Sequence, residues 1–361
     1  VDDILIWSKD PMGVIKSLEK IYVLKSVGIP EYYLGGNGEI LGDAWKNQGL
    51  GLAISAKTYI QNVIPKFEGL FGKELKPIKT PMSEGYHPEV DDSPLCTEED
   101  SAKYRSVIGY CIWIILLGRF DIAYATSAMS RFNMAPREGH MKAVFRTLGY
   151  LSKHENGKII IDPAEPIIRK EANISTGFDW SEFYPHAEEY IPPDMPKQFG
   201  NIVSLTCYVD ADHARDKLTR RSVTGIVLLI NNTPICWISK RQKTVETSTY
   251  GSELVAARIA VDLLVEWRYK LRMLGAIVEK SSYLLGDNMS VVINTTLPSS
   301  ALKKKHQACN YHRVREAIVS GYILFGHIDT KSNLVDICMK PLHGPKHHRL
   351  LEDYMFRRSE C

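Results

Sequence analysis

The sequence predicts an α/β chain whose N-terminal part is a mixed α+β layer. Apolar residues recur at helical spacing through the middle of the chain, and short alternating runs bounded by turn residues crowd the region after residue 200. Two acidic, Pro-containing stretches separate these regions. At 361 residues the chain can bury two or three cores.

Ile4 to Trp7 reads as a short strand, and Met12 to Val27 carries Val14, Ile15, Leu18, Ile21, Tyr22 and Leu24 at helical spacing. Tyr32 to Leu34 and Leu50 to Ser55 read as strands around a Gly-rich turn region, and Lys57 to Phe71 returns to helix. Ser83 to Asp100 then holds seven carboxylates with Pro88 and Pro94, a composition that favours a solvated connector. The spacing after it predicts helices. Thr97-x-x-Asp100 is a capping-box pattern, followed by Tyr104, Val107, Ile108, Cys111, Ile112 and Ile115 on one face. Glu138 to His154 buries Met141, Val144, Phe145, Leu148 and Leu151. On its opposite face Lys142, Arg146 and Lys153 fall within roughly 40° of one another. Such a stripe tracks a phosphate backbone or is a solvated helix face. A second Pro-rich, acidic connector runs from about Asp162 to Gly200.

Beyond it, Val203 to Val209 alternates and ends at Asp210. Val223 to Ile230 and Pro234 to Ser239 follow, separated by Asn231-Asn232, a pair suited to a hairpin turn. Tyr250 to Leu274 is a long helix with Glu253 near its start. Ser282 to Leu285 leads to Gly286-Asp287, and Tyr322 to Ile328 leads to a short terminal helix containing Asp336. Strand C-termini and helix starts converge on one edge of an α/β sheet. Any one of Asp210, Glu253, Asp287 and Asp336 alone is a strand-end or turn acid. Four of them at one edge repel one another unless divalent cations neutralise them, and oxygen-only donors select Mg²⁺, or Mn²⁺, over Zn²⁺.

Composition excludes other classes. No apolar run reaches the roughly 18 residues of a membrane span, since Cys111 to Gly118 stops at Arg119. Seven scattered cysteines without a CxxC pair argue against a disulfide framework or zinc ribbon and for a reducing compartment. The start, Val1-Asp2-Asp3, has no basic n-region and reads as the interior of a longer protein. Net charge is −5 over residues 1–200 and +8 over 201–361, so the C-terminal part is the expected polyanion binder. Its candidate contacts are Lys217, Arg220, Arg221, Lys240, Arg241, Lys243, Lys303, Lys304 and Lys305. Trp113 and Trp237 read as core, and His343, His347 and His348 as a polar tail.

The string YVDADHARDKLTRRSVTGIVLLINNTPICWISKRQKTVETSTYGSELVAARIA resembles the ribonuclease H domain of copia-class LTR-retrotransposon Pol polyproteins. LLGDNMSVVINTTLPSSALKKKHQACNYHRVREAIVSG and HIDTKSNLVDICMKPL continue it in register. Upstream, VDDILIWSKD is similar to the catalytic hairpin of reverse transcriptases, YYLGG to the segment after it, and KYRSVIGYCIWIILLGRFDIAYATSAMSRFNMAPREGHMKAVFRTLGYL to their thumb and connection.

The resemblance implies a ribonuclease H-like five-stranded mixed sheet with flanking helices, preceded by a partial reverse-transcriptase palm and a helical thumb/connection. Its divisions are a palm at 1–82, an acidic linker at 83–100, thumb/connection at 101–161, a second acidic linker at 162–200 and the ribonuclease H part at 201–361. It implies Asp210, Glu253, Asp287 and Asp336 as ligands of two Mg²⁺ ions, with Asp212 ranked behind Asp210. The implied substrate is an RNA/DNA hybrid, the partners are nucleic acid and other parts of the polyprotein, and the location is a cytoplasmic virus-like particle or the nucleus. Asp2 and Asp3 match the polymerase aspartates without a third carboxylate, so this chain alone is expected not to polymerise DNA. His213 stands where relatives have an aromatic residue, and Cys338-Met339-Lys340 where they have Leu-Thr-Lys. The mobile histidine of many cellular ribonucleases H has no clear match, His327 being nearest. Two alternatives stay open: a non-catalytic nucleic-acid-binding relic or host-adopted fragment, and a strand-transfer nuclease of the same fold.

Overall fold

Two sheets organise the chain, and each takes strands from regions far apart in sequence. In the computed structural model residues 10–25, 27, 32–33, 36–41, 51–166, 168, 173–174 and 177–355 are described. The expected strand Ile4 to Trp7 and the pair Asp2 and Asp3 lie outside these described residues.

The first sheet is antiparallel, in the order β1 (Tyr32–Tyr33), β2 (Gly36–Leu41), β3 (Gly51–Ser55) and β4 (Lys158–Ile161). Helix α1 (Pro11–Glu19) starts at Asp10, whose side chain accepts from the Gly13 N–H, and is shorter than its apolar spacing suggests. It buries no residue, and Ile21, Tyr22 and Val23 beyond it are exposed, so no packing extends it. Helix α2 (Lys57–Phe71) has the expected bounds; it turns Ile60, Val63 and Phe67 inward and closes on Gly72 at φ +59°.

Helices α3 (Glu98–Leu116), α4 (Ala123–Ser130) and α5 (Glu138–Lys153) pack on α2 around one apolar cluster. Thr97 caps α3, its hydroxyl accepting from the Asp100 N–H at 3.1 Å, and three acids in the first turn complement the helix dipole. The buried face of α3 is Tyr104, Val107, Ile108, Cys111 and Ile114. Ile112 and Trp113 are exposed, a correction to the expected core, because the 3–4 spacing that faces α4 and α5 runs through Ile114. Trp237 does pack inside, stacked on Phe120 at 5.4 Å. Among the described residues no helix is long and apolar enough to cross a membrane.

The second sheet has the order β5-β10-β9-β6-β7-β8, built from β5 (Asn173–Ile174), β6 (Leu205–Asp212), β7 (Val223–Ile230), β8 (Thr233–Arg241), β9 (Ser282–Gly286) and β10 (Ile323–His327). The first three long strands are antiparallel, then β9 and β10 add in parallel beside β6. Helix α6 (Thr249–Met273) links β8 to β9, and α7 (Met289–Thr296) and α8 (Ala308–Val319) link β9 to β10. These five strands with their flanking helices form a mixed sheet of the kind the resemblance implies. The sixth, β5, is a two-residue edge pairing from within the second acidic stretch.

The described residues of that stretch, expected as a connector, are tied to the helices beside the sheet. Glu189 binds Arg268 and Arg272 of α6 at 2.6 Å each, Tyr184 bonds His312 of α8 at 2.7 Å, and Trp180 lies over the Arg315 guanidinium at 4.5 Å. The Asn231-Asn232 turn is present, and its two side-chain amides donate to the carbonyls of Pro163 and Ala164. The segment is a strap along α6 and α8.

The helical region and the second sheet also share core. Val223 and Met339 belong to the helical cluster, while Phe120, Ala123 and Ile159 pack with Val227, Leu229 and Leu334. A fully buried pair, Arg119 and Asp121, sits at this junction at 2.7 Å, and Tyr150 donates to Asp121 at the same distance. Helix α9 (Gly344–Glu352) closes over it. Its His347, expected in a polar tail, is buried edge-on to the Tyr150 ring because α9 packs down through Leu350 and Leu351.

Candidate active site

Each acid is carried by an element that the local sequence specifies. Asp210 lies two residues before the end of β6, on a strand buried on both faces, and is itself 4% exposed. Glu253 stands just past the first turn of α6, which Ser248 caps by accepting from the Gly251 N–H. Gln242, buried at the end of β8, donates to Thr224 on β7 and to the Ser252 carbonyl, which fixes the start of α6 against the sheet. Asp287 follows β9, and His327 at the end of β10 donates from Nε2 to its backbone carbonyl at 3.1 Å. The parallel register of β9 and β10 aligns His327 with Gly286 and brings that ring to Asp287.

Asp210, Glu253 and Asp287 each present one carboxylate oxygen, and all three oxygens lie within 4.8 Å of one another. Among the described residues this is the group of ligating side chains suited to a cation. Burial, reinforced by Asp287 and Asp336 against a lowering hydrogen bond with Glu253, pushes Asp210 up to about 7. Burial and then Asp210 push Glu253 well above the usual carboxylate range. Asp210 and Glu253 therefore hold protons at pH values where ordinary carboxylates do not, as acids crowded in a buried pocket do. Oxygen-only donors at this spacing fit a hard divalent ion such as Mg²⁺ or Mn²⁺.

Asp336 is placed differently. It lies in a short 3₁₀ turn, Leu334–Cys338, rather than in a helix, and is 0% exposed. Lys340 Nζ stands 2.7 Å from its Oδ1, and Lys346 of α9 pairs with Oδ2. The turn is adjacent to the trio, close enough for Asp336 to raise Asp210, but its oxygens face ammonium groups. What lets it lie so near is Gly225, the register partner of Asp210 on β7. A Cβ there would meet the Val335 side chain at 2.9 Å and the Val335 carbonyl at 3.1 Å. Gly225→Ala is expected to push the Asp336 turn off the sheet and destabilise the fold by about 1–3 kcal/mol. Urea denaturation checks this, and unchanged stability would mean that the turn yields freely.

Asp212, one strand turn on, pairs with Arg215 at 3.6 Å, and burial raises it. His213 lies 3.3 Å from the Ser252 hydroxyl, beside the start of α6.

The basic candidates divide by partner. Lys217, Arg220, Lys240, Lys243, Lys303, Lys305 and Lys142 are exposed, and Arg221 is half-buried. Arg241 is committed to Asp216 at 2.8 Å, beside Arg131 at 2.7 Å. Burial would raise Asp216, yet the Thr219 N–H and the two guanidinium groups hold it at about 2. Lys304 bonds the Ser248 hydroxyl, and Arg146 donates to Thr80 at 2.7 Å. Lys142 and Arg146 also line a groove of about 510 Å³ with Lys73, Lys76, Tyr86 and Phe145. Sequence reasoning left out Lys73 and Lys76, which stand after α2 in an otherwise unremarked run, and Lys346, hidden in the tail. A lysine at every third position over 73–79 is the signal that marks the first two.

No protein-family model matches the chain. It is 27% identical over 347 residues, 95% of its length, to the retrovirus-related Pol polyprotein from transposon RE1 of Arabidopsis thaliana. It is 26% identical over 94% of its length to that from transposon TNT 1-94 of Nicotiana tabacum. The chain is similar to retrovirus-related Pol polyproteins of transposons. It spans about a fifth of the length of these polyproteins, 20% and 23%. A putative transposon Ty5-1 protein of Saccharomyces cerevisiae is 25% identical over 73% of the chain and 72% of its own length. The N-terminal ribonuclease H domain of a Mycobacterium tuberculosis protein overlaps 42% of this Pol-related chain and 97% of its own, at 13% identity and a TM-score of 0.30.

Proposed function

We propose that this Pol-related chain hydrolyses the RNA strand of RNA/DNA hybrids with divalent-metal assistance. The single observation that carries the reading is the convergence of Asp210, Glu253 and Asp287 oxygens within 4.8 Å at one sheet edge. Divalent cations bound there supply activation of water and charge neutralisation at the scissile phosphate. The three carboxylates hold that position: Asp210 from the strand, Glu253 from the anchored helix start, Asp287 from the strand end steadied by His327. Exposed Lys217, Arg220, Lys240, Lys243, Lys303 and Lys305 supply affinity for phosphates without reading sequence, and Arg221 adds to them. The groove with Lys142 and Arg146 extends this basic surface to the helical region.

The reading of residues 1–82 as palm, 101–161 as thumb/connection and 201–361 as nuclease belongs to the same proposal, as do the polyprotein and particle setting. One observation favours a second reading, a nucleic-acid-binding relic: Asp336 faces two lysines. Cleavage of a labelled hybrid in Mg²⁺ decides between them. Wild type is expected to cut the RNA strand and to stop on chelation, and Asp287→Asn to slow cutting about 100-fold. Binding without cutting by both proteins selects the relic.

A further inference from the structure

We infer that Lys340 and Lys346 are built-in counter-ions of Asp336, so that the resting site takes one divalent cation and admits a second only when Asp336 leaves Lys346. This rests on the reading of Asp210, Glu253 and Asp287 as a cation site.

Lys346 donates to Oδ2 of Asp336, Lys340 Nζ stands 2.7 Å from Oδ1 as an ion pair without a hydrogen bond, and the residue is fully buried. Neither lysine is a loose surface chain. Lys340 follows directly on the buried Leu334–Met339 run and also acts electrostatically on Asp210 and Asp212. Lys346 sits in the first turn of α9, whose N-cap His343 accepts from the Lys346 N–H at 3.4 Å. The next residue, His347, and then Leu350 and Leu351 are buried. Withdrawing Lys346 therefore requires moving a packed helix or swinging its side chain away from a buried carboxylate.

Charge balance points the same way. With one divalent cation bound and all four carboxylates ionised by it, the two ammonium groups bring the net charge to zero. A second cation beside both lysines leaves the pocket at +2, which a phosphate of the substrate or the departure of a lysine must offset.

Mn²⁺ titration of the full chain without nucleic acid, read by calorimetry and by the electron paramagnetic resonance of free Mn²⁺, tests this. Wild type is expected to bind one ion. Asp336→Asn is expected to bind one ion with affinity changed by less than about tenfold. Lys346→Met is expected to gain a second, weaker site, which the added Asp336→Asn removes, whereas Lys346→Arg keeps a single site. Two ions in wild type, loss of the first site in Asp336→Asn, or one unaltered site in Lys346→Met overturns the counter-ion role while leaving the cation site standing. No ion in wild type overturns both readings. Asp336→Asn keeps the shape of the turn, so the comparison stands even where Lys346→Met fails to fold.

Discussion

Asp210→Asn protein is expected to be more stable than wild type in chelator near neutral and alkaline pH, and in Mg²⁺ to cleave hybrids about 1,000-fold more slowly. Asp210 is nearly fully buried, and burial with the neighbouring acids pushes it up to about 7, from 3.8 for an ordinary aspartate. The folded state therefore binds more protons than the unfolded chain between those values, and wild-type stability falls as pH rises through that window. By that gap, the ionised carboxylate destabilises the metal-free fold by on the order of 2–4 kcal/mol above about pH 7. An amide at the same position cannot ionise, so the variant's stability stays flatter over this window and the two proteins converge below the ordinary aspartate range. Added Mg²⁺ reverses the order, because it stabilises only the protein that binds it. Urea denaturation at several pH values, with chelator and with Mg²⁺, reads all of this. A variant less stable than wild type in chelator at alkaline pH would show that Asp210 is already satisfied by protein partners.

Which acids converge was legible because their positions follow from strand ends and helix starts, quantities that alternation and capping patterns encode locally. Asp210, Glu253 and Asp287 fall together for that reason. Asp336 was legible as a neighbour but not in its partners. Lys340 follows in the same segment, while Lys346 arrives on α9, a helix whose packing depends on contacts with Tyr150 and Asp121 more than 190 residues away in sequence. Long helices such as α2 and α5 read well since their apolar stripes are local. The buried face of α3 was misread at Ile112 because two neighbours, not one, select it. Arg241 and Arg131 look like free cations in sequence. Only the fold brings both to Asp216 and removes one of the predicted nucleic-acid contacts. At the second acidic stretch, read as a connector from its prolines and carboxylates, composition gave no sign that Glu189 meets two arginines of α6.

Glu189→Ala is the change that exposes this strap's energetic role, and it is expected to destabilise the protein by about 3 kcal/mol. Glu189 accepts from Arg268 through both oxygens, at 2.6 and 2.8 Å, and from Arg272 at 2.6 Å. Those guanidinium groups are 0% and 4% exposed, so truncation leaves two buried cations holding only carbonyls and a hydroxyl, those of Lys280 and Ser282 and of Val278. The melting temperature should fall by about 5 °C, and residues 177–200 should become the first site of limited proteolysis. Glu189→Gln, which keeps the shape and loses the charge, should lie between. Burial would raise this carboxyl, but Arg268 and Arg272 hold it below its usual range. Its contribution is therefore complete above the ordinary glutamate pKa and fades as pH falls through the lowered one, opposite in sign to Asp210. Wild type and Glu189→Ala should accordingly differ most at neutral pH and approach each other in acid. A difference that persists unchanged into strong acid would assign the loss to packing of the strap rather than to the buried ion pair.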